Sequence, residues 1–540
     1  MPDLLPAATR GKLAKPGVRR RVVRLLVLLA IAVGLAWLWT HRFGEPEDFD
    51  HMEAQFKYGS LGADHPLAQA PLPYWLWKVL PEVFPPGALV PKPMSPDNDK
   101  ASFEAFGLVV EAQRELPTGH VAGQPMFDRP IGFSKRRVFG MDFVGMNCAF
   151  CHLGTLKADA LAPRQLILGG TGNAVDIEKY FLFLFGALTD PRFNADTLMP
   201  AIDRELARQN ATLPWVQRPI YRYAVIPLLP HYLKWLEKND FDFINPRHPN
   251  HLPPFGPGRV DTWALYKRTF VEPPQHDSIA GMVDFPPLWN QKARVGMRMH
   301  WDGNTDVLQE RNIVSALSLV GKRIEYLDFN RLTRVTDWIE GLLPPRYVDR
   351  FPQKLIDAGQ VPIDTALAVR GGSIFGEQCS RCHSAQGDRI GRVEPITDLG
   401  TDPTRIEEFT PQLAAALNRL GTDRWKLRNF RLQDGYVNTP LDGLWLRAPY
   451  LHNGSVPTLR DLLKPAAERP KRFCRGSEVY DWKNLGFVSA TEVASNSRDL
   501  CPGAFRYNTL VSGNSNKGHL YGTMLIDADK DALLEFLKTL

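Results

Sequence analysis

Apolar residues recur at helical spacing in several separate segments of the chain. This pattern predicts helices at residues 176–188, 221–236, 366–378 and 527–540. The second segment contains Pro227 and Pro230, which predict a break or a kink because a proline inside a helix removes a hydrogen bond. Residues 46–140 show no persistent alternation of apolar and polar positions and contain many prolines, so we expect an irregular wrap with short helices there. The chain is therefore predicted to be mainly α.

One apolar run has the character of a membrane segment. Residues 25–39 carry no charge and follow a basic stretch, an arrangement typical of a signal peptide or a membrane anchor. The run ends in Trp37-Leu38-Trp39 instead of a small-residue cleavage site, which favours an anchor that is retained. Because basic flanks stay cytoplasmic, we expect a single-pass protein of a bacterial inner membrane, with the chain after the anchor in the periplasm.

The net charge of the chain comes from its first residues. Residues 1–24 contain seven Lys or Arg and one Asp, a net charge of +6, and the whole chain is also +6. The other 516 of 540 residues are therefore neutral overall, which argues against a surface that binds nucleic acid. The 45 prolines and 42 glycines predict long ordered loops between the helices.

Two Cys-x-x-Cys-His pentads carry the clearest chemistry. They are Cys148-Ala149-Phe150-Cys151-His152 and Cys379-Ser380-Arg381-Cys382-His383. In this spacing the two thiols can add across the vinyl groups of a haem, and the adjacent imidazole can bind its iron. A zinc knuckle would need a second Cys/His pair near each pentad. We therefore predict two covalently bound c-type haems, with His152 and His383 as iron ligands.

Two cysteines remain outside the pentads. Cys474 and Cys501 lie in a segment with many loop residues. An oxidising compartment would allow a disulfide between them, and two free buried thiols are the alternative. The sequence alone leaves this pairing open.

The length and composition of the chain allow more than one hydrophobic core, so two haem domains are expected. We predict a basic flank and membrane anchor at 1–45, a first haem domain with its N-terminal wrap at 46–342, a linker at 343–364, and a second cytochrome c domain at 365–540. The predicted fold class is thus mainly α, with two cytochrome c-like haem domains, long Pro/Gly-rich loops and an N-terminal transmembrane helix.

Further motifs resemble one group of dihaem proteins. The segments 300–304 (HWDGN) and 448–455 (APYLHNGS) resemble elements of the bacterial dihaem cytochrome c peroxidases and of the dihaem enzyme that matures methylamine dehydrogenase. The nearest resemblance is to the rubber-oxygenase-like branch, through segments at 130–133, 256–261, 286–289, 310–312 and 518–522. Each segment is short, but their order within one chain is specific.

The resemblance implies a second axial ligand for the His383 haem. It points to His519, in a Gly-flanked loop just before the last predicted helix. Tyr436 is the alternative, because it lies near where the related enzymes place a Met or Tyr ligand. Imidazole is the stronger iron ligand, which favours His519, and the competing interpretation is a loop histidine at the surface.

For the His152 haem, Met141, Met146 and His300 are possible second ligands, but a Met is more often a core residue and a lone His a hydrogen-bonded interior one. None is convincing, so an open, high-spin iron is expected. The resemblance places Trp301 between the haems as an electron relay, and a large core aromatic is the competing interpretation. Glu310 could move a proton between peroxide oxygens and Arg311 could stabilise the developing anion. These two residues could instead form a structural ion pair.

The motifs favour a redox enzyme that uses peroxide or dioxygen at the first haem, with the second haem as an electron-transfer centre. The alternative is a non-catalytic electron-transfer cytochrome or an accessory subunit of a respiratory membrane complex. We expect a redox protein or a small-molecule substrate as the partner. The N-terminal helix would contact the inner membrane, and no nucleic acid is expected to bind. The sequence leaves open whether a calcium ion binds between the domains. Ser315-Ala316-Leu317 is small and aliphatic where the rubber oxygenases have a bulky aromatic, which weakens any extension to polyisoprene cleavage.

Overall fold

A computed structural model describes residues 44–69, 71–89, 102–111, 128–492, 501 and 504–540. Its helices of seven or more residues are α1 (Met52–Tyr58), α2 (Tyr74–Val83), α3 (Ile177–Thr189), α4 (Ala195–Arg208), α5 (Ile226–Asn239), α6 (Thr262–Phe270), α7 (Leu308–Val320), α8 (Phe329–Glu340), α9 (Thr365–Gln378), α10 (Pro411–Leu417) and α11 (Asp527–Leu537). Its strands are β1 (Leu72–Pro73), β2 (Phe133–Val138), β3 (Met141–Met146), β4 (Leu153–Leu156), β5 (Gln165–Leu168), β6 (Arg259–Val260), β7 (Val283–Asp284), β8 (Val393–Pro395), β9 (Gly435–Val437), β10 (Arg472–Arg475), β11 (Tyr480–Asp481), β12 (Gly486–Phe487), β13 (Thr491–Glu492) and β14 (Phe505–Asn508).

The prediction of a mainly α fold is wrong, because small antiparallel sheets run through the whole chain. The structure is 40% helical and 12% strand, so neither class alone describes it. Two three-stranded sheets have the orders β1-β3-β2 and β13-β10-β14, and the remaining strands form two-stranded pairs. The sheet of β1, β2 and β3 begins in the stretch that was expected to be free of strands. Strands of two to six residues are too short to produce a persistent alternating pattern.

The prediction of a single-pass inner-membrane protein is also corrected. No helix in the described part of the chain is both long and apolar enough to cross a bilayer. The longest described helices have 14 residues, whereas a span needs about 20 apolar ones. The segment on which the prediction rested, residues 25–39, lies outside the described residues.

The helices predicted from apolar spacing are confirmed, with small shifts at their ends. α3 begins after Asp176, whose side chain caps the helix by accepting from the backbone N–H of Lys179 (3.0 Å). In the segment with two prolines, a π-helical turn at Tyr221–Val225 precedes α5, and the helix continues through Pro230. The prolines therefore change the hydrogen-bond pattern locally but do not end the helix.

Side chains from both halves of the chain share buried contacts. The guanidinium of Arg475 in β10 lies 3.0 Å from the carboxylate of Asp284 in β7, and both side chains are almost fully buried. Arg259 in β6 donates to the carbonyl of Asn453 (3.2 Å) and to Oδ1 of Asn514 (2.7 Å). The segments 46–342 and 365–540 therefore contact each other through charged and polar groups.

The predicted linker, residues 343–364, contains the short helices Tyr347–Arg350 and Gln353–Asp357. Tyr347 is buried and packs edge-to-face against Trp445 and Trp482. This segment is thus packed against the C-terminal half, and the domain boundaries themselves stay a prediction.

The sequence left the pairing of Cys474 and Cys501 open. The structure shows that the two cysteines form a disulfide, which links β10, the strand that contains Cys474, to Cys501.

Candidate haem sites

The first pentad lies in a tight turn between β3 and β4. Cys148–Phe150 forms a 3₁₀ turn whose N-cap, Asn147, accepts from the backbone N–H of Ala149 (2.9 Å) and donates to the carbonyl of Gly59 (3.0 Å). The N–H of His152 donates to the carbonyl of Cys148 (3.1 Å). Local hydrogen bonds therefore present both thiols and the imidazole on one short stretch of backbone.

His152 faces a large and mainly apolar cavity. The cavity contains about 1190 Å³ of empty space, including the part open to solvent, and Cys151 also lines it. Nδ1 of His152 is buried without a well-aligned hydrogen-bond partner, although the backbone of Pro286 lies close to the imidazole. Burial, reinforced by the positive charge of Arg311, lowers the pKa of His152 to about 3. The imidazole is therefore neutral, which is the form that binds a metal.

The second pentad follows α9 directly. Cys379 caps the C-terminus of this helix, and a single turn, Ser380–His383, ends on the histidine. Nδ1 of His383 lies 2.8 Å from the carbonyl oxygen of Thr439. That carbonyl can only accept, so Nδ1 carries the hydrogen and Nε2 keeps its lone pair. A carbonyl that fixes the tautomer in this way is the usual support of a metal-binding histidine.

His519 lies opposite His383. The two ring centroids are 6.3 Å apart, with 44° between the ring planes. A metal at about 2 Å from one nitrogen of each ring would place the centroids about 6 Å apart, so the spacing fits a shared iron. The backbone N–H of His519 donates to the carbonyl of Leu399 (2.9 Å), and its Nδ1 is buried without a partner. The loop thus holds this imidazole in the interior.

Tyr436, the alternative ligand, is engaged elsewhere. Its ring stacks on His452 with centroids 4.0 Å apart, and its hydroxyl donates to the carbonyl of Asp402 (2.6 Å). Burial, with the nearby charge of Asp402, raises the pKa of Tyr436 well above its ordinary value. A neutral phenol that already donates its proton is a poor iron ligand, so the geometry favours His519.

Trp301 lies where the two sites meet. It lines the His152 cavity and also a neighbouring cavity of about 670 Å³, which Thr439 lines from the side of His383. Its indole N–H donates to the carbonyl of Asp284 (3.1 Å), and its own carbonyl accepts from the N–H of Val437 (3.0 Å). The indole is therefore held where the two cavities adjoin, and its role as an electron relay stays a prediction.

The smaller cavity carries an excess of buried positive charge. Arg294, Arg311 and Arg447 all line it, and one carboxylate, Asp442, lies 3.4 Å from Arg294 and 3.9 Å from Arg447. Burial, with the charge of Arg294, lowers the pKa of Arg311 to about 10 and that of Arg447 to about 9. Nε of Arg294 is buried without a partner. Such uncompensated guanidiniums fit a bound anion, and the propionates of a haem are suitable ones.

Glu310 is turned away from both cavities. Its carboxylate accepts from the backbone N–H groups of Arg428 and Asn429 (both 3.0 Å) and from the side-chain amide of Asn429 (2.7 Å). Arg311, by contrast, lines both cavities. The geometry thus brings Arg311 to the candidate site and gives no support to Glu310 as a proton carrier, whose catalytic role stays a prediction.

Several residues of the site carry no signal in the sequence. Arg294 and Arg447 line the smaller cavity and Arg405 lines the His152 cavity, and all three are single arginines without a motif. Asp261, which also lines the His152 cavity, is the last residue of the segment 256–261 that was singled out from the sequence. For calcium, no group of three or more His, Cys, Asp or Glu side chains among the described residues is arranged to hold a metal ion.

Comparison with known proteins identifies one segment. A family described as RoxA-like, cytochrome c-like matches residues 435–474. This segment includes Thr439, whose carbonyl contacts His383, and Arg447, which lines the smaller, arginine-lined cavity. A cytochrome c-like segment implies c-type haem, and this match is consistent with a cytochrome c family.

Two curated relatives come from Sinorhizobium fredii. Uncharacterized protein y4iM is 31% identical over 306 residues, which cover 49% of this chain and 66% of the relative. Uncharacterized protein y4iJ is 31% identical over 265 residues, which cover 37% of this chain and 42% of the relative. The chain therefore spans less than two thirds of the length of either relative.

Proposed function

We propose that the chain is a dihaem c-type cytochrome of the dihaem peroxidase superfamily, in its rubber-oxygenase-like branch, and that it acts as an oxidoreductase. Peroxide or dioxygen would react in the cavity beside His152. The site of His383 and His519 would supply or store electrons, which pass through Trp301. A redox partner protein or a small molecule completes the electron balance.

The observation that carries this proposal is the difference between the two pentad histidines. His383 has a second imidazole, His519, at a ring spacing that suits a metal between them. The imidazole of His300 also lines the His152 cavity, but its Nδ1 is bound to Oδ1 of Asn304 (2.7 Å). In the described part of the chain, the aromatic ring in contact with His152 is that of Phe285, which has no atom that binds iron. A site with two imidazoles suits electron transfer, and a site with one suits chemistry.

The residues of the chain would divide the work as follows. A bound haem supplies an iron that exchanges electrons and, where one face is open, binds an oxygen species. His152 and His383 would hold the irons, and the thiols of Cys148, Cys151, Cys379 and Cys382 would anchor the two macrocycles. The buried arginines balance the propionates. Arg311 also presents a positive charge to the His152 cavity, where negative charge develops as an oxygen–oxygen bond breaks.

The two predicted domains fit this division. One pentad lies in each of the segments 46–342 and 365–540, and Trp301 lies near the end of the first segment. The carbonyl that supports His383 comes from the cytochrome c-like segment 435–474. Each segment would therefore contribute one haem site, with the arginine-lined cavity between them.

The spin states of the ferric protein test the proposal. Two haems per chain, one high-spin and one low-spin, are expected by electron paramagnetic resonance, and hydrogen peroxide should change the high-spin signal. His519→Ala should remove the second ligand of the His383 haem and so convert the low-spin signal to a high-spin one. Tyr436→Phe is the matched control and should leave both signals unchanged, because the Tyr436 hydroxyl already donates to a backbone carbonyl.

The alternative function predicts a different spectrum. Two low-spin haems that peroxide does not alter would contradict the enzyme proposal and support a non-catalytic electron-transfer cytochrome. Two unchanged signals in His519→Ala would show that His519 is not an iron ligand and that the open site had been assigned to the wrong pentad.

A further inference from the structure

Two carboxyl groups meet in the interior beside the His152 cavity. Asp261 is the N-cap of α6, Glu408 ends the helix Thr404–Glu408, and both are buried. The two side chains are within hydrogen-bonding reach of each other. One oxygen of Asp261 accepts from the N–H of Ala264 (3.1 Å), whereas its Oδ2 and both oxygens of Glu408 are buried without a well-aligned donor. Since two carboxylates offer only acceptors, this contact requires a proton between them.

The neighbouring cations do not remove this requirement. Nζ of Lys267 lies 3.3 Å from Oε1 of Glu408, but it also binds both oxygens of Asp277 at 2.7 and 2.8 Å. The other cation, Arg405, lies 3.6 Å from the carboxylate of Asp302. Two cations therefore face four carboxyl groups. Burial, reinforced by the charge of the neighbouring Asp261, raises the pKa of Glu408 well above its ordinary value.

The carboxyl pair connects the His152 cavity with solvent. At the inner end, Asp261 lines that cavity beside Trp263 and Arg405. At the outer end, the side chain of Asp277 is 34% exposed and contacts Lys267, which is fully buried. Lys267 in turn reaches Glu408. The four side chains thus form an unbroken series of polar contacts from the surface to the cavity.

We propose that Asp261 and Glu408 share a proton and pass it into the His152 cavity, and that Lys267 and Asp277 conduct its replacement from solvent. This rests on the function proposed above, because reduction of one peroxide to two waters takes up two protons and two electrons. The electrons come from the reduced redox partner. For each proton, an O–H bond of the pair breaks and an O–H bond forms on a peroxide oxygen. The pair then carries one more negative charge until a proton returns.

Two conservative variants of the haem-loaded protein test the proposal. Glu408→Gln keeps the size of the side chain, and Asp261→Asn keeps the helix cap, because Asn caps as well as Asp. In either variant the new amide can donate to the remaining carboxylate, so the pair no longer needs or holds a shared proton. Glu111→Gln is the matched control. Glu111 is also buried, but it binds Lys57 (2.9 Å) and Tyr58 (2.6 Å) and lines neither of the two cavities beside Trp301.

Infrared spectroscopy gives a readout that does not depend on activity. At neutral pH the unmutated protein should show the carbonyl band of the shared proton beside that of Glu178, whose burial raises its pKa to about 8. Glu408→Gln and Asp261→Asn should lose the first band, Glu178→Gln only the second, and Glu111→Gln neither. The rate of reaction with hydrogen peroxide should fall by about 10²-fold or more in the first two variants. Their resting ferric spectra should match that of the unmutated protein.

Two results would overturn the proposal: a carbonyl spectrum that Glu408→Gln and Asp261→Asn leave unchanged, or variants that react at the unmutated rate. A third result separates this proposal from the one on which it rests. If the unmutated protein shows the band of the shared proton but does not react with peroxide, the proposed function fails and proton delivery fails with it, whereas the shared proton is retained.

Discussion

At the scale of single residues, burial decides which groups around the His152 cavity are charged. His152 is neutral because desolvation disfavours the imidazolium. Glu178 follows the same rule with the opposite charge: it lines the cavity, and burial together with the charge of Asp176 raises its pKa to about 8. Its Oε2 accepts from the N–H of Phe255 (2.6 Å), a hydrogen bond that does not offset the desolvation.

Glu178 should therefore make the stability of the protein depend on pH. The folded state keeps the proton up to about pH 8, whereas the unfolded chain loses it near pH 4.5, so the free energy of unfolding decreases as the pH rises between these values. Glu178→Gln should remove this decrease and stabilise the protein by about 2–4 kcal/mol above pH 8, with little change below pH 4.5. Urea unfolding at both pH extremes measures the effect, and exposed Glu377→Gln serves as the control. An equal effect at both extremes would contradict the assignment.

The pentads predict that His152 and His383 bind iron, but they do not indicate which groups surround these two histidines. Nothing near His383 in the sequence indicates that the carbonyl of Thr439, 56 positions away, fixes its tautomer. The pairing of Asp261 with Glu408 depends in the same way on the fold that brings α6 against the helix Thr404–Glu408. Partners of this kind are set by tertiary contacts and have no local pattern, which is why Glu408 could not be predicted.

At the scale of elements, α9 and α11 cross at a glycine. A Cβ at Gly371 in α9 would overlap the backbone carbonyl of Ala532 in α11. The backbones can therefore approach only because this position has no side chain. In the same helix, a Cβ at Gly376 would meet no atom within 4 Å. Substitution of Gly371 therefore tests close packing, and substitution of Gly376 tests helix propensity alone.

Alanine at the two positions should have opposite effects. Gly371→Ala should lower the free energy of unfolding by about 2 kcal/mol, because overpacking outweighs the gain in helix propensity. Gly376→Ala should raise it by about 0.5–1 kcal/mol, since only the propensity changes. Denaturant midpoints of the two variants measure this difference. Stabilisation by both substitutions would show that the crossing can relax.

Long amphipathic helices were predictable from the sequence and the short strands were not. α3 repeats its apolar spacing over 13 residues and has a capping Asp, so two independent signals agree. β6 and β7 contain two residues each, and their pairing depends on contacts between distant parts of the chain. Local sequence patterns therefore specify the long helices, which could be predicted. The short strands are specified by contacts between distant residues, so the sheets could not be predicted.

At the scale of the whole molecule, buried charges join the two halves. Arg475 binds the carboxylate of Asp284 (3.0 Å) and donates to the carbonyls of Pro257 (3.1 Å) and Gly454 (3.0 Å). Burial raises the pKa of Asp284 to about 6, although the charge of Arg475 opposes the rise. Because these contacts cross between the halves, we expect the two predicted domains to unfold together in one transition.

Arg475→Met tests this coupling. The substitution leaves Asp284 buried without its cation and should lower the free energy of unfolding by about 3 kcal/mol. The loss should be larger at pH 8 than at pH 5, because Asp284, with its pKa near 6, is ionised only at the higher pH and then needs the guanidinium. Arg218→Met is the matched control, since Arg218 pairs with Asp203 at an exposed site, and it should cost less than about 1 kcal/mol. Circular dichroism and tryptophan fluorescence should give the same denaturant midpoint for each protein. Two separate transitions in the unmutated protein, or equal losses in the two variants, would show that the halves are stabilised independently.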